Sequence, residues 1–360
     1  MTLGVEPAAL AAAIKDWGRV LGFAQIGIAP ATALDTAASH LAAWLAAGWH
    51  GDMAYMARHG SKRAHPTALV PETQCVICVR MDYLPATRPA TGADPADRAQ
   101  AFVARYALGR DYHKVLRRRL KTLVQRIAAR IGPFAHRIFV DSAPVMEKAL
   151  AARAGLGWIG KHTNLISPRA GSWFVLGELY AALPLPPDRP HANHCGRCRA
   201  CLHRCPTGAL RAPYRLDARR CLAYLTVEAP GSIPLALRPA LGNRIFGCDD
   251  CQLACPWNRF ARPSAEPDFQ PRHGLDTATL RALWAWDEAT FLQRTAGSAL
   301  RRLGYERWRR NLAVALGNAA PDPAAKQALW AGRADPSPLV REHLEWALAR
   351  HDQAGAGAPT

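Results

Sequence analysis

Residues 195–206 read CGRCRACLHRCP: four cysteines within eleven residues, with a proline after the last. The spacing is C-x2-C-x2-C-x3-C-P, running through Cys195, Cys198, Cys201 and Cys205 to Pro206. A second run, CDDCQLACP at 248–256, repeats its later part with Cys248, Cys251 and Cys255. Aligned on the first run, it holds Ile245 at the leading cysteine position, and Cys221 in DARRCLAYL stands unpaired between the two. Cys221 is the natural replacement, which makes eight thiolates, enough for two clusters of four. The short C-x2-C steps wrap the chain round one cubane, and the last cysteine of each run, followed by proline, is carried away to the other. One cluster then takes Cys195, Cys198, Cys201 and Cys255. The other takes Cys205, Cys221, Cys248 and Cys251.

Zinc also accepts four thiolates, but a zinc ribbon separates its paired knuckles by a longer spacer than this run has. Radical-SAM chemistry wants C-x3-C-x2-C, and Gly208 and Asn258 occupy the positions where its last cysteine would stand. Cys75 and Cys78 form a further C-x2-C, in TQCVICVRMDY. That stretch reads as a buried strand, where positions three apart face opposite ways, so these are core thiols.

The rest of the chain bounds what two clusters serve. At 360 residues it can fill two or three domains. No run of about 18 uncharged apolar residues suggests a membrane helix. The N-terminal stretch carries no basic start followed by an apolar run, and the default compartment is the cytoplasm. Dense cysteines there hold metal or do redox chemistry, and no membrane partner is expected. The 46 basic residues exceed the 28 acidic ones, a net charge of +18, which draws polyanions and nucleic acid above all.

Helical and strand patterns alternate over 1–185, with helices at 6–21 and 112–131 and strands at 23–29, 76–83, 136–141 and 173–183. This predicts an α/β domain. The proline-rich 184–194 marks a boundary, the cluster domain covers 186–262, and a helical tail covers 263–360. Within the tail, RRNLAVAL at 309–316 matches REHLEWAL at 341–348, a HEAT-type repeat signal. Before it lies RRLGYERWRR, 301–310, whose aromatics among arginines suit phosphates and unstacked bases, or a solvated basic face.

GLGWIG at 155–160 fits G-x-G-x-x-G, but it follows a predicted helix, 144–154, opened by Pro144. A dinucleotide fingerprint follows a strand, so a nicotinamide site is rejected. The glycines are read as letting backbone approach something flat or bulky. Asp141 closes the 136–141 strand and reads as a helix cap or a ligand contact. To donate a proton it requires desolvation that raises its pKa.

With MAYMARH at 53–59, RYALGRDYHKVLRRRL at 105–120, VDSAPVMEKALAARAGLGWIGKHTNLI at 140–166, GCDDCQLACPWN at 247–258 and ALGN at 315–318, the chain resembles the epoxyqueuosine reductases. These are iron–sulfur and cobalamin enzymes of queuosine synthesis in tRNA anticodons. The resemblance implies an α/β (α+β) corrinoid-binding domain, a bacterial ferredoxin-like two-cluster domain and a HEAT-like, tRNA-binding tail. It implies two 4Fe-4S clusters and a base-off corrinoid, with Arg58, Tyr106, Lys161, His162, Thr163, Asn164, Asp141 and Asp249 near the corrinoid and Asp141 as proton donor. DYHKVL at 111–116 carries Leu116 where a D-x-H-x-x-G motif has glycine, so that motif does not support His113 as a cobalt ligand. Implied partners are the anticodon stem-loop of tRNA and an external low-potential donor such as flavodoxin or ferredoxin, serving a monomer. The rivals fit less well. A reductive dehalogenase needs no basic helical tail, a ferredoxin-like carrier needs no large α/β domain, and a pure tRNA-binding module leaves eight ordered thiolates unexplained.

Overall fold

The apolar run at Cys75 becomes the middle of a sheet. A computed structural model describes residues 5–87 and 99–356. Its main sheet has β1 (Gln25–Pro30), β2 (Cys75–Asp82), β3 (His136–Phe139) and β4 (Phe174–Ala181) in the order β1-β2-β4-β3. Every pairing is antiparallel, so of the two classes expected for this segment, α/β or α+β, it is α+β. Alternation of element type does not fix strand direction. β2 and β4 are buried on both faces, as interior strands with continuous apolar runs are.

The period-two rule then sorts side chains. Cys75, Ile77, Val79 and Met81 face α1 (Pro7–Val20) and α2 (Tyr112–Ile131), against Leu10, Ile14, Leu116, Leu120 and Leu123. Val76 and Cys78 face the other way, onto Leu150 and Ala151 of α3 (Glu147–Arg153). The two thiols thus enter separate apolar clusters, and burial raises both pKa values, Cys75 to about 12. Glu6 caps α1 by accepting from the Ala8 and Ala9 N–H groups.

α3 starts at Glu147, three residues later than the sequence suggested. Residues 141–146 are spent on tight turns instead, with the Ser142 N–H donating to the Val140 carbonyl (2.6 Å) and the Val145 N–H to the Ala143 carbonyl (2.8 Å). Asp141 has φ +51 and caps no helix. The glycines after α3 also serve a different end from the one expected. A Cβ on Gly155 would lie 2.6 Å from the Arg189 carbonyl oxygen, and one on Gly157 would lie 2.0 Å from that of Ile166. They admit the protein's own backbone.

The cysteine-bearing segment folds as short pieces: Ala200–Arg204, Leu222–Val227 and Asp250–Leu253 are helical, and Leu210–Ala212 pairs with Arg215–Leu216. Its boundary segment 184–194 carries no regular structure, yet it is tied down. Asp188 accepts from Lys15 Nζ (2.6 Å) and from the Ile28 N–H (2.9 Å), and its own N–H donates to the Ile28 carbonyl.

The tail holds α4 (Tyr305–Asn318), α5 (Pro323–Ala331) and α6 (Pro338–Ala356). The matched residues Leu312 and Leu344, and Ala315 and Ala347, are fully buried in one cluster. That cluster also takes in Ala101, Val103, Ala107 and Leu108 from the first segment and Ile245 and Phe246 from the second. Phe102–Val103 pairs parallel with Arg244–Phe246, joining the first two segments through backbone. The core therefore crosses both sequence boundaries.

RRLGYERWRR turns inward for the most part. Trp308 and Arg310 are fully buried, and Arg309 lies 3.4 Å over the Trp284 ring. The Arg310 guanidinium donates to the carbonyls of Leu225 (2.7 Å), Ala229 (2.8 Å) and Gly231 (2.6 Å). Neither a base-stacking platform nor a solvated face describes Trp308, Arg309 and Arg310, whereas Arg301 and Arg302 stay exposed. Arg310 clamps α4 onto the cysteine segment.

Candidate active site and cysteine knuckles

α2 opens with the triplet DYH, 111–113. Asp111 caps it, accepting from the His113 backbone N–H (3.1 Å) and lying 2.7 Å from His113 Nδ1. This contact fixes the imidazole so that Nε2 stands 3.2 Å from Asp141 Oδ2. Tyr112 Oη donates to the same oxygen at 2.7 Å. Two consecutive side chains of one helix turn thus converge on a carboxylate twenty-eight residues further on.

Burial works to raise the Asp141 carboxyl, but the hydrogen bonds from His113 and Tyr112, with the charges of His113 and Arg302, outweigh it and hold it below its usual value. Burial works to lower His113, and hydrogen bonds to Asp111 and Asp141 carry it up to about 9 instead. At neutral pH the proton rests on the imidazole and Asp141 is the anion. Asp141 is therefore not raised in the way direct proton donation requires, and the proton sits one hydrogen bond away on His113. Beside them Glu147 is pushed up to about 7 by burial and then by the Asp141 charge. Glu178 is fully buried with no partner on either carboxylate oxygen, and burial raises it well above its ordinary value.

Asp141 keeps 42% of its side chain accessible because space opens on two sides. A cavity of about 1840 Å³ lies between the helix Asp35–Ala46, the turn around Arg58, the loop 141–146 with the start of α3, and the strip Gly157–Ile159. A smaller hollow of about 390 Å³ is lined by Tyr106, Tyr112, Ser298 and Arg301. His113, Asp141, Glu228 and Arg302 line both spaces. Arg302 is held by Glu228 through two contacts of 2.9 Å.

Arg58, Asp141 and Thr163 line the large cavity, and Tyr106 lines the hollow. The other expected corrinoid contacts stand elsewhere. Lys161 Nζ donates to the Gly196 (2.5 Å) and Cys198 (2.9 Å) carbonyls. His162 is buried, lowered to about 4 by burial and then by Lys148, and accepts at Nδ1 from the Asn164 N–H. Asn164 Oδ1 accepts from Lys148 Nζ at 3.0 Å, so it steadies a cavity residue from behind. Asp249 is absent from the cavity wall. It is buried and accepts from the Arg105 backbone N–H (2.9 Å) and guanidinium (3.3 Å), which satisfies its charge. No sequence pattern marks Tyr112, Glu147, Lys148 or Glu228 individually, Arg302 stands out only as part of the basic stretch 301–310, and His113 only through the D-x-H-x-x-G comparison. Asp111 at the helix start was the one local signal for the DYH arrangement. The Arg302–Glu228 pair is made by folding across 74 residues.

Among the cysteines, Cys255 lies within electrostatic reach of Cys195, Cys198 and Cys201. Cys251 lies within reach of Cys221, Cys201 and Cys205, and Cys248 within reach of Cys221. Cys195 and Cys255 pack with Trp158 and Trp257, and Trp158 also lines the large cavity. Among the described residues no three His, Cys, Asp or Glu side chains converge tightly enough to hold a single ion. No helix among them is long and apolar enough to cross a membrane.

Comparison with known proteins accounts for both halves of this site. Residues 63–142 match the family described as "Epoxyqueuosine reductase QueG, DUF1730", and residues 194–258 match the "4Fe-4S double cluster binding domain". An epoxyqueuosine reductase of Pseudomonas aeruginosa is 60% identical, over 97% of this chain and 96% of its own length. Among solved structures, an epoxyqueuosine reductase bound to an epoxyqueuosine-modified tRNA-Tyr stem loop superposes with a TM-score of 0.85, at 26% identity over 98% of this chain and 95% of that one. A Bacillus subtilis epoxyqueuosine reductase, solved with its catalytic aspartate loop swung out of the active site, also gives 0.85, at 26% identity over 97% of this chain and 95% of that one. With double-cluster spacing, fold and near full-length identity in agreement, the chain belongs to the epoxyqueuosine reductase family.

Proposed function

We propose that this chain reduces the epoxide of epoxyqueuosine in a tRNA anticodon loop to the alkene of queuosine. One epoxide, two electrons and two protons give one alkene and one water. The observation that carries the reading is the position of Asp141. It lies where the large cavity meets the smaller hollow, and it is hydrogen-bonded to a proton-bearing His113. The name of the Pseudomonas aeruginosa relative and the stem loop held by the solved neighbour support the same substrate.

The large cavity suits a base-off corrinoid. Its volume exceeds the range of about 300–1,000 Å³ usual for small-ligand pockets, as a macrocycle requires. Trp158 Nε1 and Arg63 Nε belong to cavity residues and are buried without partners, and the amide rim of a corrin would satisfy them. Arg58 and Thr163 would hold the corrinoid directly, while Lys161, His162 and Asn164 would brace the wall. Tyr106 belongs with the substrate hollow, and Asp249 with the scaffold. When bound, the corrinoid supplies a low-potential metal centre for carbon–oxygen cleavage. Cys195, Cys198, Cys201 and Cys255 would hold one 4Fe-4S cluster and Cys205, Cys221, Cys248 and Cys251 a second, and the pair would supply electrons one at a time.

The chain's own residues manage the proton. His113 stores it, Tyr112 and Asp111 fix the geometry, and Asp141 hands it to the oxygen leaving the ring. Arg302, held by Glu228, lies at the hollow that receives the base. Asp141 rides on an irregular loop, which fits the loop displacement of the Bacillus subtilis neighbour. The tail forms a HEAT-like support for RNA, an external low-potential protein feeds the clusters, and the enzyme works as a cytoplasmic monomer.

Anaerobic reconstitution of Asp141→Asn with iron, sulfide and cobalamin tests this. About eight irons per chain and a wild-type corrinoid spectrum are expected. Turnover of an epoxyqueuosine stem-loop should fall at least about 100-fold. Normal turnover would take Asp141 out of the chemistry. Zinc alone, or about four irons, would end the two-cluster assignment.

A further inference from the structure

From Arg189 to Leu216 the chain has no Asp or Glu, and it has six Arg and three His. A third of the net charge is thus concentrated in less than a tenth of the length. Cys198 lies in this stretch and is the one exposed thiol of the eight. Arg197 and Arg199 flank it, both exposed, and among the described residues no ion pair engages either. The knuckle is braced by the two Lys161 hydrogen bonds to its carbonyls. A second loop adds an aromatic edge: Phe260 is 39% exposed under the Arg259 guanidinium, which lies 4.7 Å from its ring. From Phe260 the rings run inward, 5.7 Å to Trp257 and 4.9 Å from there to Trp158 on the cavity wall.

These features specify a kind of visitor. An electron must enter where a cluster ligand reaches solvent, and an unpaired basic rim selects and steers a negatively charged body. RNA is also negative, but RNA lying over Cys198 would block the point where electrons enter. We propose that the face carrying Cys198, with Arg197 and Arg199 at its centre and Phe260 at its edge, docks an acidic low-potential redox protein. The inference rests on the cluster assignment above. Docking moves one electron at a time from donor to cluster, and no bond is made or broken.

The test uses the reconstituted full chain and reduced flavodoxin as probe. In the Arg197→Glu/Arg199→Glu variant, stopped-flow bleaching of the clusters by flavodoxin at low salt should slow by about tenfold or more, and its salt dependence should flatten. Iron content, bleaching by dithionite and binding of an RNA stem-loop should stay at wild-type levels. The Arg197→Lys/Arg199→Lys variant should recover most of the rate. Unchanged flavodoxin kinetics would overturn the proposal, as would an equal loss with dithionite. Weakened RNA binding with normal flavodoxin kinetics would assign the face to RNA. Wild-type protein that binds no iron would remove the cluster assignment itself, an outcome distinct from any of these.

Discussion

His113 shows how three residues set a proton's address. Asp111 takes one ring nitrogen and Asp141 the other, so protonation is favoured until about pH 9. A histidine raised in the folded state stabilises fully below its unfolded pKa of about 6.5, and that contribution is lost as pH rises through the folded value. The folded protein should therefore lose on the order of 1–3 kcal/mol between about pH 6.5 and 9, the upper figure being discounted because Asp141 is partly open to solvent. Thermal melts of wild type and His113→Ala across that range check it: the variant should be less stable at pH 6 and lose less on going to pH 9. Parallel curves would refute the pairing.

At the scale of elements, the tail helix α4 is held by hydrogen bonding as much as by packing. Arg310 alone satisfies three carbonyls of the 225–231 stretch. Arg310→Ala should cost about 3–5 kcal/mol in urea unfolding, because buried acceptors are left unpaired. Arg310→Lys should recover only part, since an ammonium cannot fork as a guanidinium does. A loss below about 1 kcal/mol would mean that water replaces the side chain without penalty. This clamp was invisible in sequence, where RRLGYERWRR reads as a surface. Charge and aromatic content do not say which way a side chain points once a helix finds carbonyls to cap. The strands, α1 and α2 were legible because their apolar periods are long and regular. The start of α3 was not, because Pro144 permits a helix while the tight turns at 141–146 take precedence. The cysteine spacing was legible as chemistry because ligand geometry is local. The residues around Asp141 were legible only at DYH, since the rest are brought together over long sequence separations.

At the scale of the whole molecule, the basic excess has an expected readout. Stem-loop binding should weaken steeply with salt, log K falling against log salt with a slope of about −0.7 per phosphate contacted. Titrations between low and physiological salt measure it, and a flat response would exclude phosphate contacts. The same molecule has one apolar cluster spanning residues 101 to 348, so its three sequence segments share a core. The Asp188 strap follows the same plan: Lys15 and Ile28 fasten what looks like a proline linker onto α1 and β1. A loose linker would let the iron-bearing part swing, and tunnelling, which decays exponentially with distance, would wait for rare close approaches. A fastened one would hold such a gap constant between one encounter with a partner and the next.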